Sequence, residues 1–592
     1  MSDADLPGVA VPEPEALLDA LDEQQRAAAE ALTGSVCVLA GAGTGKTRTI
    51  THRIAYGVAS GVYPPRRVMA LTFTTRAAAE LRARLASLGA PGIAARTFHS
   101  AALAQLNHFW PQLMGSPAPS LLDSKARLVA RAAEGLRMRL GSAALKDAAA
   151  EIEYRKTAAI GYERYAAQAV DRVMPEGLDV DAMVTLQERY ETIKDEQRML
   201  DFEDVLLATT GMIESEPEVA NEVREQYRFF TVDEYQDVSP AQQQLLEAWL
   251  GDHTDVCVVG DASQTIYSFA GAQNEYLLRF GERPGASVVR LEHNYRSVDG
   301  VVKAANALMT GRRGALTLTA VRHAADPREP ALAVRDYADD ADEAAGVAQA
   351  VAAQIAGGTP PADIAVLVRI NAQAAMLEQA FAAAGVPVTT GRATRYFEQP
   401  IVRKAVELLR AAVLARLEEP LVKSVSDALR QLGHTHHAPQ GPGEQRTRWE
   451  LLDALGTLAE QAPAGTTLPA FVAELAERAA AQHEPPVSAV SVLTLHAAKG
   501  LEWPVVFMVG VSEGLLPISY ATTLAEVEEE RRLLYVGVTR ARDRLRLSWA
   551  RSAAPRPGER RPSRFLAELG PSVQVRPAVG TSSARARAGA RG

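Results

Sequence analysis

Short runs of apolar, largely β-branched residues recur along the first half of the chain, and stretches with helical spacing of apolar positions separate them. Each run has the length of a buried strand, and strands that alternate with helices predict a parallel α/β sheet. The runs, with the strand ends that follow them, cover residues 35–40, 67–74, 228–233, 255–260 and 288–297, and one further run ends at 97–100.

The same alternation begins again near residue 332 and predicts a second parallel sheet. Its strands are predicted at residues 332–337, 363–369, 490–496, 505–510 and 544–548. This second series lacks the glycine-rich connection between a strand and a helix that occurs in the first series.

Two long helical stretches interrupt the two series. Residues 101–197 are rich in Ala, Arg and Glu, residues 392–487 are helical with Pro and Gly, and both are predicted to be insertions between sheet strands. The predicted domains are a first sheet domain of residues 1–100 and 198–290, its insertion 101–197, a second sheet domain of residues 291–391 and 488–570, its insertion 392–487, and a disordered basic tail 571–592.

Length and composition are those of a globular protein with several domains. One domain per ~150 residues gives about four domains, and we expect a cytoplasmic protein with no membrane partner because no apolar run has spanning length. The net charge of −9 leaves nucleic-acid binding open, since that depends on local basic surface. Cys37 and Cys257 lie in apolar runs and are predicted to be core residues.

A glycine-rich segment, residues 40–48, joins the first predicted strand to a helix. Glycines let successive backbone N–H groups point at an anion, and the positive end of the following helix dipole points at the same place. Lys46 is expected to lie along the β- and γ-phosphates and the Thr47 hydroxyl to ligate Mg²⁺. Ala40 stands where this type of loop has its first glycine. Upstream, Gln25 lies in a helix that Asp22 is predicted to cap, and its amide is suited to reading the adenine edge.

Paired carboxylates follow another predicted strand at Asp233 and Glu234. Asp233 is expected to hold Mg²⁺, and Glu234 to orient and deprotonate the attacking water. At the tip of the next predicted strand, the Gln264 amide is suited to sensing the γ-phosphate. These residue types in this order predict phosphoryl chemistry on a nucleoside triphosphate.

Seven ordered motifs resemble those of the superfamily 1 DNA helicases of the UvrD/PcrA/Rep type, and the resemblance extends from Leu21 to about Leu569. The motifs cover residues 40–48, 71–75, 232–237, 259–267, 291–297, 494–502 and 528–541. Within that family the chain looks most like the second, shorter UvrD-type paralogue of actinobacteria. In that paralogue a four-cysteine segment and a small helical, HRDC-like module usually follow, and the sequence here ends before either.

The resemblance implies two RecA-like parallel-sheet motor domains, 1A and 2A, each with a mainly helical insertion, 1B and 2B. It implies an ATP-dependent DNA helicase that uses ATP and Mg²⁺ in DNA repair or replication. Movement would run 3′ to 5′ on single-stranded DNA, and 3′-tailed duplex DNA would be unwound. Repair-protein partners are not indicated by the sequence.

The resemblance also assigns residues to the nucleotide. The phosphate loop would comprise Ala40, Gly41, Ala42, Gly43, Thr44, Gly45, Lys46 and Thr47. The adenine would be held by Gln25, Arg48 and Tyr295, and the ribose by Glu502. Arg296 and Arg540, from the second sheet domain, would act as arginine fingers.

Candidate DNA contacts come from both sheet domains. The aromatic residues suited to stacking on bases are Phe73, Phe202, Tyr267 and Phe269. The residues that would reach the DNA backbone, or couple to it, are Thr74, Thr97, His99, Arg369, Asn371 and His496.

Two segments depart from the family pattern. Residues 268–270 stand where the family often has Trp-Arg, and residues 550–564 lack the aromatic pin that splits the duplex. The missing pin and the shortened second insertion leave open a single-strand translocase that displaces proteins and unwinds poorly alone. A further alternative, of another class, is a nucleotide-gated nucleic-acid-binding module without turnover. Lys46, Glu234 and Arg540 argue against the second alternative, because a binding switch would not need all three.

Overall fold

The computed structural model describes residues 12–170, 172–268, 271–324, 329–390, 396–414, 419–435, 439, 444–463, 465–481, 488–553, 559–570 and 574–576. The chain divides into two compact units. The first unit comprises Met1–Gly41 and Gly45–Leu291, and the second comprises Ala42–Thr44 and Glu292–Gly592.

The first unit contains a six-stranded, all-parallel sheet. The strands of this unit, including two outside the sheet, are β1 (Ser35–Ala40), β2 (Val68–Thr72), β3 (Ala94–Thr97), β4 (Ser120–Leu121), β5 (Met199–Leu200), β6 (Phe229–Val232), β7 (Val256–Gly260) and β8 (Ser287–Leu291). Strands β4 and β5 pair with each other, and the other six follow the order β3-β2-β6-β7-β1-β8. Strands β6, β7 and β1 are therefore consecutive, and their carboxyl ends meet at one edge, where open parallel sheets bind their ligands.

In the part of this unit that the structure describes, thirteen α-helices connect the strands or lie in the predicted insertion. They are α1 (Pro14–Leu18), α2 (Glu23–Glu30), α3 (Lys46–Ala59), α4 (Thr75–Ser87), α5 (Phe98–Met114), α6 (Lys125–Gly135), α7 (Ser142–Thr157), α8 (Tyr162–Ala169), α9 (Val180–Glu196), α10 (Phe202–Ser215), α11 (Pro217–Gln226), α12 (Pro240–Leu250) and α13 (Glu275–Phe280). Helices α6–α9 have their own apolar cluster, which includes Ile152, Leu186 and Tyr190.

Both faces of the first sheet are buried, because successive side chains of a strand point to opposite faces. Cys37 lies in the apolar cluster on one face with Phe230 and Trp249, and Cys257 lies in the cluster on the other face with Val38. The two cysteines are 1% exposed, which confirms the prediction that they are core residues. Burial raises the pKa of the Cys37 thiol to about 12 and also raises that of Cys257.

The second unit contains a seven-stranded, all-parallel sheet. The strands of this unit, including two outside the sheet, are β9 (His293–Val298), β10 (Thr319–Arg322), β11 (Leu332–Tyr337), β12 (Ile364–Val368), β13 (Val388–Thr390), β14 (Val490–Thr494), β15 (Trp503–Met508), β16 (Ala541–Ala550) and β17 (Gln574–Arg576). Strands β9 and β10 pair separately, and the others follow the order β13-β14-β12-β15-β16-β11-β17.

The helices of this unit include two groups that pack in separate apolar clusters. They are α14 (Asp299–Met309), α15 (Asp340–Ala356), α16 (Ala374–Ala383), α17 (Pro400–Leu414), α18 (Leu421–Gln431), α19 (Glu444–Glu460), α20 (Leu468–Ala481) and α21 (Leu524–Val538). Helices α15 and α16 pack on the sheet through a cluster that includes Val351 and Phe381. Helices α17–α20 pack around a separate cluster that includes Leu409, Leu455 and Phe471.

The two parallel sheets confirm the predicted α/β class. The third predicted strand stops at Thr97 because the Thr97 hydroxyl accepts the Ser100 N–H and so caps α5. The predicted disordered tail contains one strand, since Gln574–Arg576 pairs with β11, and the remainder of residues 571–592 lies outside the described residues. Among the residues described, none of the helices is both long and apolar enough to cross a membrane.

Candidate nucleotide and nucleic-acid sites

The predicted phosphate loop connects β1 to α3. Gly43 and Gly45 have φ of +70° and +84°, the left-handed region that glycine adopts without strain. A Cβ on Gly45 would lie 2.7 Å from Nε2 of Gln25, so the close approach also requires glycine. The Lys46 ammonium group donates to the carbonyl oxygens of Ala40 and Gly41, at 3.2 and 3.4 Å. The structure therefore places Lys46 directly against the loop that it is predicted to serve.

The alanine in place of the first loop glycine has a simple structural reason. Ala40 is the last residue of β1, is fully buried, and packs in an apolar cluster beside Val38. An extended strand residue accommodates a Cβ, so glycine is not needed there. The next residue, Gly41, continues the pairing, and its N–H donates to the Leu291 carbonyl oxygen at 3.2 Å.

Gln25 is held in place at the start of α2. The Asp22 side chain accepts the Gln25 N–H at 2.7 Å, and Oε1 of Gln25 accepts the Asp22 N–H at 3.3 Å. This capping box confirms the predicted role of Asp22 and leaves Gln25 only 3% exposed. Arg48, the other predicted adenine contact of the first unit, is exposed and donates to the Ala20 carbonyl oxygen.

A buried arginine fixes the other end of α2. Arg53, in α3, is 2% exposed and donates to the carbonyl oxygens of Ala28 and Ala31 at the carboxyl end of α2. A guanidinium group there satisfies helix carbonyls and complements the negative end of the helix dipole. The helix that carries Gln25 is therefore bound to the helix that carries Lys46.

The predicted acidic pair follows β6. Glu234 adopts a left-handed backbone, with φ 51° and ψ 37°, which costs a non-glycine residue of order 1–3 kcal/mol. The Asp233 carboxylate accepts the Glu234 N–H at 2.9 Å and so contributes to holding this turn. Left-handed non-glycine residues cluster at functional sites, which fits the predicted role of Glu234.

A chain of hydrogen bonds connects the Glu234 side chain with the Gln264 side chain. The Gln236 amide donates to the Glu234 carboxylate, and Oε1 of Gln236 accepts the Asp261 N–H at 3.0 Å. Oδ2 of Asp261 then accepts from the Gln264 amide at 2.7 Å. Gln236, Asp261 and Gln264 are buried, so these bonds fix the orientation of each group.

The sequence reasoning missed Gln236 and Asp261. Asp261 directly follows β7, and Gln236 lies four residues after the end of β6, so closeness to a strand end was the available signal. The parallel register of β6 and β7, which brings the two ends together, is visible only in the structure.

Predicted nucleotide residues of the second unit gather around Thr539. Glu502 pairs with Nε of Arg296, and Nη1 of Arg296 donates to the Thr539 carbonyl oxygen at 3.4 Å. Arg540 is 1% exposed and donates to the Leu501 carbonyl oxygen at 3.0 Å. The structure therefore brings both predicted arginine fingers and the predicted ribose ligand into one cluster.

The middle of the phosphate loop, Ala42–Thr44, belongs to this second unit. Tyr295 donates its N–H to the Gly43 carbonyl oxygen at 2.8 Å, and the Asn294 amide donates to the Ala42 carbonyl oxygen at 2.6 Å. A Cβ on Gly43 would lie 2.7 Å from Cβ of Arg296. The segment that carries Tyr295 and Arg296 thus packs on this part of the loop.

One pair of rings stands out among the predicted DNA contacts of the first unit. Phe202, the first residue of α10, is 59% exposed, and its ring stacks on His99 at 3.9 Å between centroids and 15° between planes. Burial lowers the pKa of His99 to about 4, so this imidazole is neutral at physiological pH.

The other candidates of this unit have mixed environments. Phe73 is half-buried against the core, and Tyr267 is half-buried. The Thr74 hydroxyl caps α4 by accepting the Ala77 N–H at 3.1 Å, as Thr97 caps α5. Phe269 lies outside the described residues.

The candidate DNA contacts of the second unit lie near the carboxyl ends of β12 and β14. Arg369 forms a two-pronged ion pair with Glu530, at 2.7–3.1 Å, so its guanidinium group is engaged within the fold. Burial and the neighbouring Arg369 charge lower the pKa of His496 to about 4. Asn371 is exposed. Any DNA contact by His496 would therefore be through a neutral ring.

Comparisons with known proteins agree with this arrangement. Residues 21–284 match the family model described as the UvrD/REP helicase N-terminal domain, and residues 289–436 and 429–552 match the UvrD-like helicase C-terminal domain. The chain therefore belongs to the UvrD-like helicase family.

Several named relatives align over most of this chain. The ATP-dependent DNA helicase UvrD2 of Mycobacterium tuberculosis is 44% identical over 97% of this chain and 85% of its own length. DNA helicase II of Escherichia coli is 30% identical over 93% of this chain and 88% of its own length. The ATP-dependent DNA helicase PcrA of Bacillus subtilis is 28% identical, over 93% and 86%.

Proposed function

We propose that this helicase is ATP-dependent, translocates 3′ to 5′ along single-stranded DNA and unwinds 3′-tailed duplex DNA during repair or replication in the cytoplasm. The main support is the arrangement of the phosphate loop, the Asp233–Glu234 pair and Gln264 at the ends of three consecutive strands, β1, β6 and β7. That edge of a parallel sheet is where nucleotides bind. The relatives named above as ATP-dependent DNA helicases support the choice of ATP and DNA.

The donor set of this edge suits Mg²⁺. The Thr47 hydroxyl and an Asp233 carboxylate oxygen are hard oxygen ligands, which Mg²⁺ prefers, and the ion usually keeps several waters and phosphate oxygens as its other ligands. Bound there with ATP, Mg²⁺ would neutralise charge on the phosphates. The Lys46 ammonium group would exchange its contacts with the Ala40 and Gly41 carbonyl oxygens for the β- and γ-phosphates.

Glu234 is proposed as the general base for the attacking water. Its carboxylate already accepts one hydrogen bond from Gln236, which orients it without neutralising it. Gln264 is proposed to sense the γ-phosphate, and the bond to Asp261 sets the direction of its amide. Positioned bases of this kind contribute about 10²–10⁴-fold to a reaction rate.

Arg296 and Arg540 are proposed to stabilise the charge that develops on the γ-phosphoryl oxygens. Packing of the Arg296 segment on Gly43 of the phosphate loop supports this role for Arg296. Gln25, Arg48 and Tyr295 are proposed to contact the adenine. Glu502 is proposed to contact the ribose, in which case it would release Arg296.

Single-stranded DNA is proposed to bind through aromatic stacking and backbone contacts. The exposed Phe202 ring, already stacked on His99, offers the most accessible aromatic face among the described candidates. Phe73, Tyr267 and Phe269 are proposed as further stacking residues. The proposed contacts to the DNA backbone are Thr74, Thr97, Arg369, Asn371 and His496.

A second candidate function is a translocase that displaces proteins from single strands and unwinds poorly alone. The sequence of residues 550–564 favours it, because this segment contains no aromatic residue with which to separate a base pair. A helicase that needs a partner for strand separation would share every proposed ATP contact.

The assigned chemistry is tested by ATP hydrolysis with and without single-stranded DNA. Lys46→Ala and Glu234→Gln should each abolish DNA-stimulated turnover, whereas Glu234→Gln should keep ATP binding because its carboxylate is not a phosphate ligand. Near-wild-type turnover by both variants would overturn the proposed site. Lys303→Ala serves as the matched control, because this lysine is exposed and pairs with Asp299 on the same helix, α14.

A further inference from the structure

Three lysines from helices of the first unit surround the first turn of α10. They come from three different helices: Lys125 begins α6, Lys156 lies at the end of α7, and Lys194 lies in the last turn of α9. The acidic residues that they meet are Asp201, Glu203 and Asp204, which flank Phe202 on both sides. We refer to Lys125, Lys156 and Lys194 as the lysine clamp.

The inner part of the clamp is a buried ionic network. Nζ of Lys156 lies 2.7 Å from Asp201 Oδ2 and 2.6 Å from Asp204 Oδ1. Lys156 and Lys194 also each pair with Glu191 at 2.7 Å. Burial opposes ionisation of Asp201, but the charges of Lys156 and Lys194 outweigh it and hold its pKa well below the usual range. Three carboxylates close together suggest a cation site, yet two ammonium groups already supply the positive charge.

The clamp also fixes the backbone that carries Phe202. Asp201 and Asp204 form the capping box of α10, each accepting the N–H of the other at 2.9–3.0 Å. Lys125 pairs with Glu203, the residue after Phe202, at 2.5 Å. The acidic residues next to Phe202 in the first turn are thus charge-paired, while its own ring is exposed.

We propose that the lysine clamp is the positioning element of the DNA-stacking surface formed by Phe202 and His99. This inference rests on the proposed function of Phe202. A ring on a fixed helical turn is ordered before a base arrives, so less conformational freedom is lost on binding. Because the clamp lysines come from the predicted insertion, the insertion sets the single-strand affinity of a ring that it does not itself carry.

The test uses a double variant that removes one charge of each sign. Lys156→Met with Asp204→Asn leaves no lone buried charge, and the asparagine oxygen can still accept the capping hydrogen bond. We expect single-strand affinity, measured by fluorescence anisotropy with the full chain, to fall about 10-fold, within the range for loss of one stacked base. If this variant does not fold, Lys125→Met with Glu203→Gln replaces it, because Lys125 is less buried than Lys156.

A matched control removes another ion pair of the predicted insertion, between Glu151 of α7 and Arg172, which lies between α8 and α9. Arg172→Met with Glu151→Gln breaks a pair of 2.7 Å that has no described contact with the first turn of α10. The glutamine oxygen can still accept from the Tyr165 hydroxyl group, which bonds to Glu151 at 2.9 Å. We expect this control to leave single-strand affinity within about twofold of wild type, because separate sites act independently.

A double-mutant cycle with Phe202→Ala separates positioning from a general loss of stability. If the clamp acts through Phe202, the clamp variant should weaken binding in the wild-type background and change it less than about twofold when Phe202 is already alanine. Equal weakening in both backgrounds, or none in the wild-type background, would overturn the inference while leaving Phe202 as a DNA contact. Wild-type affinity of Phe202→Ala alone would instead overturn the proposed DNA site, and the clamp inference with it.

Discussion

Glu234 and Gln264 are joined through the side chain of Gln236 and through the backbone N–H and carboxylate of Asp261. The two ends of this chain are the proposed general base and the proposed phosphate sensor. Strands β6 and β7 are neighbours in the sheet, so a short chain of hydrogen bonds suffices to join residues that are thirty positions apart in the sequence. Damage to the connecting residues should therefore lower the rate of hydrolysis more than the affinity for ATP.

Gln236→Met tests the connection directly. Methionine keeps the volume but removes the hydrogen bonds of Gln236 to Glu234, Asp237 and Asp261, so Glu234 and Gln264 lose their common orientation. We expect kcat for DNA-stimulated ATP hydrolysis to fall about 10–100-fold, as for other small misplacements of catalytic groups, with KM for ATP nearly unchanged. Gln243→Met is the matched control. Gln243 is also buried, and it bonds to Tyr235 and Glu247, which are not part of the hydrogen-bond chain from Glu234 to Gln264. A rise in KM with unchanged kcat would contradict the positioning role.

Gly260→Ala disturbs the same hydrogen-bond chain without replacing any residue that forms it. The new Cβ would lie 2.5 Å from Oε1 of Gln236 and 2.8 Å from Cδ2 of Leu277. Such overpacking costs about 1–3 kcal/mol of folding free energy, and we expect kcat to fall at least as far as in Gln236→Met. Gly211→Ala is the control, since nothing lies within 4 Å of its Cβ. Full activity of Gly260→Ala would show that hydrolysis does not depend on the exact position of the Gln236 side chain.

Glu343 should make stability depend on pH. This carboxyl group of α15 is buried and accepts from Ser548 Oγ at 2.5 Å and from the Gly510 N–H at 2.9 Å. Burial raises its pKa from 4.5 to about 7, although the two hydrogen bonds act in the opposite direction. Between these values the folded state keeps a proton that the unfolded state has released, so stability falls as pH rises through this window.

Glu343→Gln removes that titration and keeps the acceptor oxygen. The variant should therefore gain stability relative to wild type as pH rises from 5 to 8, by up to about 3 kcal/mol. Urea unfolding of both proteins at the two pH values measures the difference. A stability difference that does not change with pH would show that the carboxyl group has an ordinary pKa.

The two cysteines provide a check on the core of the first sheet. Cys37 and Cys257 are buried on opposite faces, and burial raises the pKa of each thiol. Native protein at pH 8 should therefore show no fast reaction with a thiol reagent, and both thiols should react after unfolding in urea. A variant with Tyr520→Cys, at a position 69% exposed, should add one fast-reacting thiol. Fast reaction of the wild-type protein would contradict the described packing.

Much of the fold could be predicted from local sequence pattern. The apolar runs at β1, β2, β7 and β12 are short, continuous and bounded by glycine or polar residues, so the strands could be predicted from them. Asp22 marked a helix start through capping chemistry that depends on a few neighbouring residues. Lys46 was identifiable because the phosphate loop is itself a local structure.

The remaining features depend on contacts between distant residues. Gln236 and Asp261 meet because of strand order, and the engagement of Arg369 by Glu530 joins residues 161 positions apart. The lysine clamp likewise requires the packing of three helices around the first turn of α10. A short strand at residues 574–576 forms only because β11 offers an edge. Local periodicity carries no information about such pairings.

The most direct test of the central proposal is strand displacement with Mg·ATP on duplexes that carry either a 3′ or a 5′ single-stranded tail. DNA-stimulated ATP hydrolysis is measured in the same samples, and Glu234→Gln serves as the inactive control. We predict displacement from the 3′-tailed duplex alone, with none by the variant. Hydrolysis without displacement would favour the translocase, and displacement from the 5′-tailed duplex alone would contradict the proposed direction of movement.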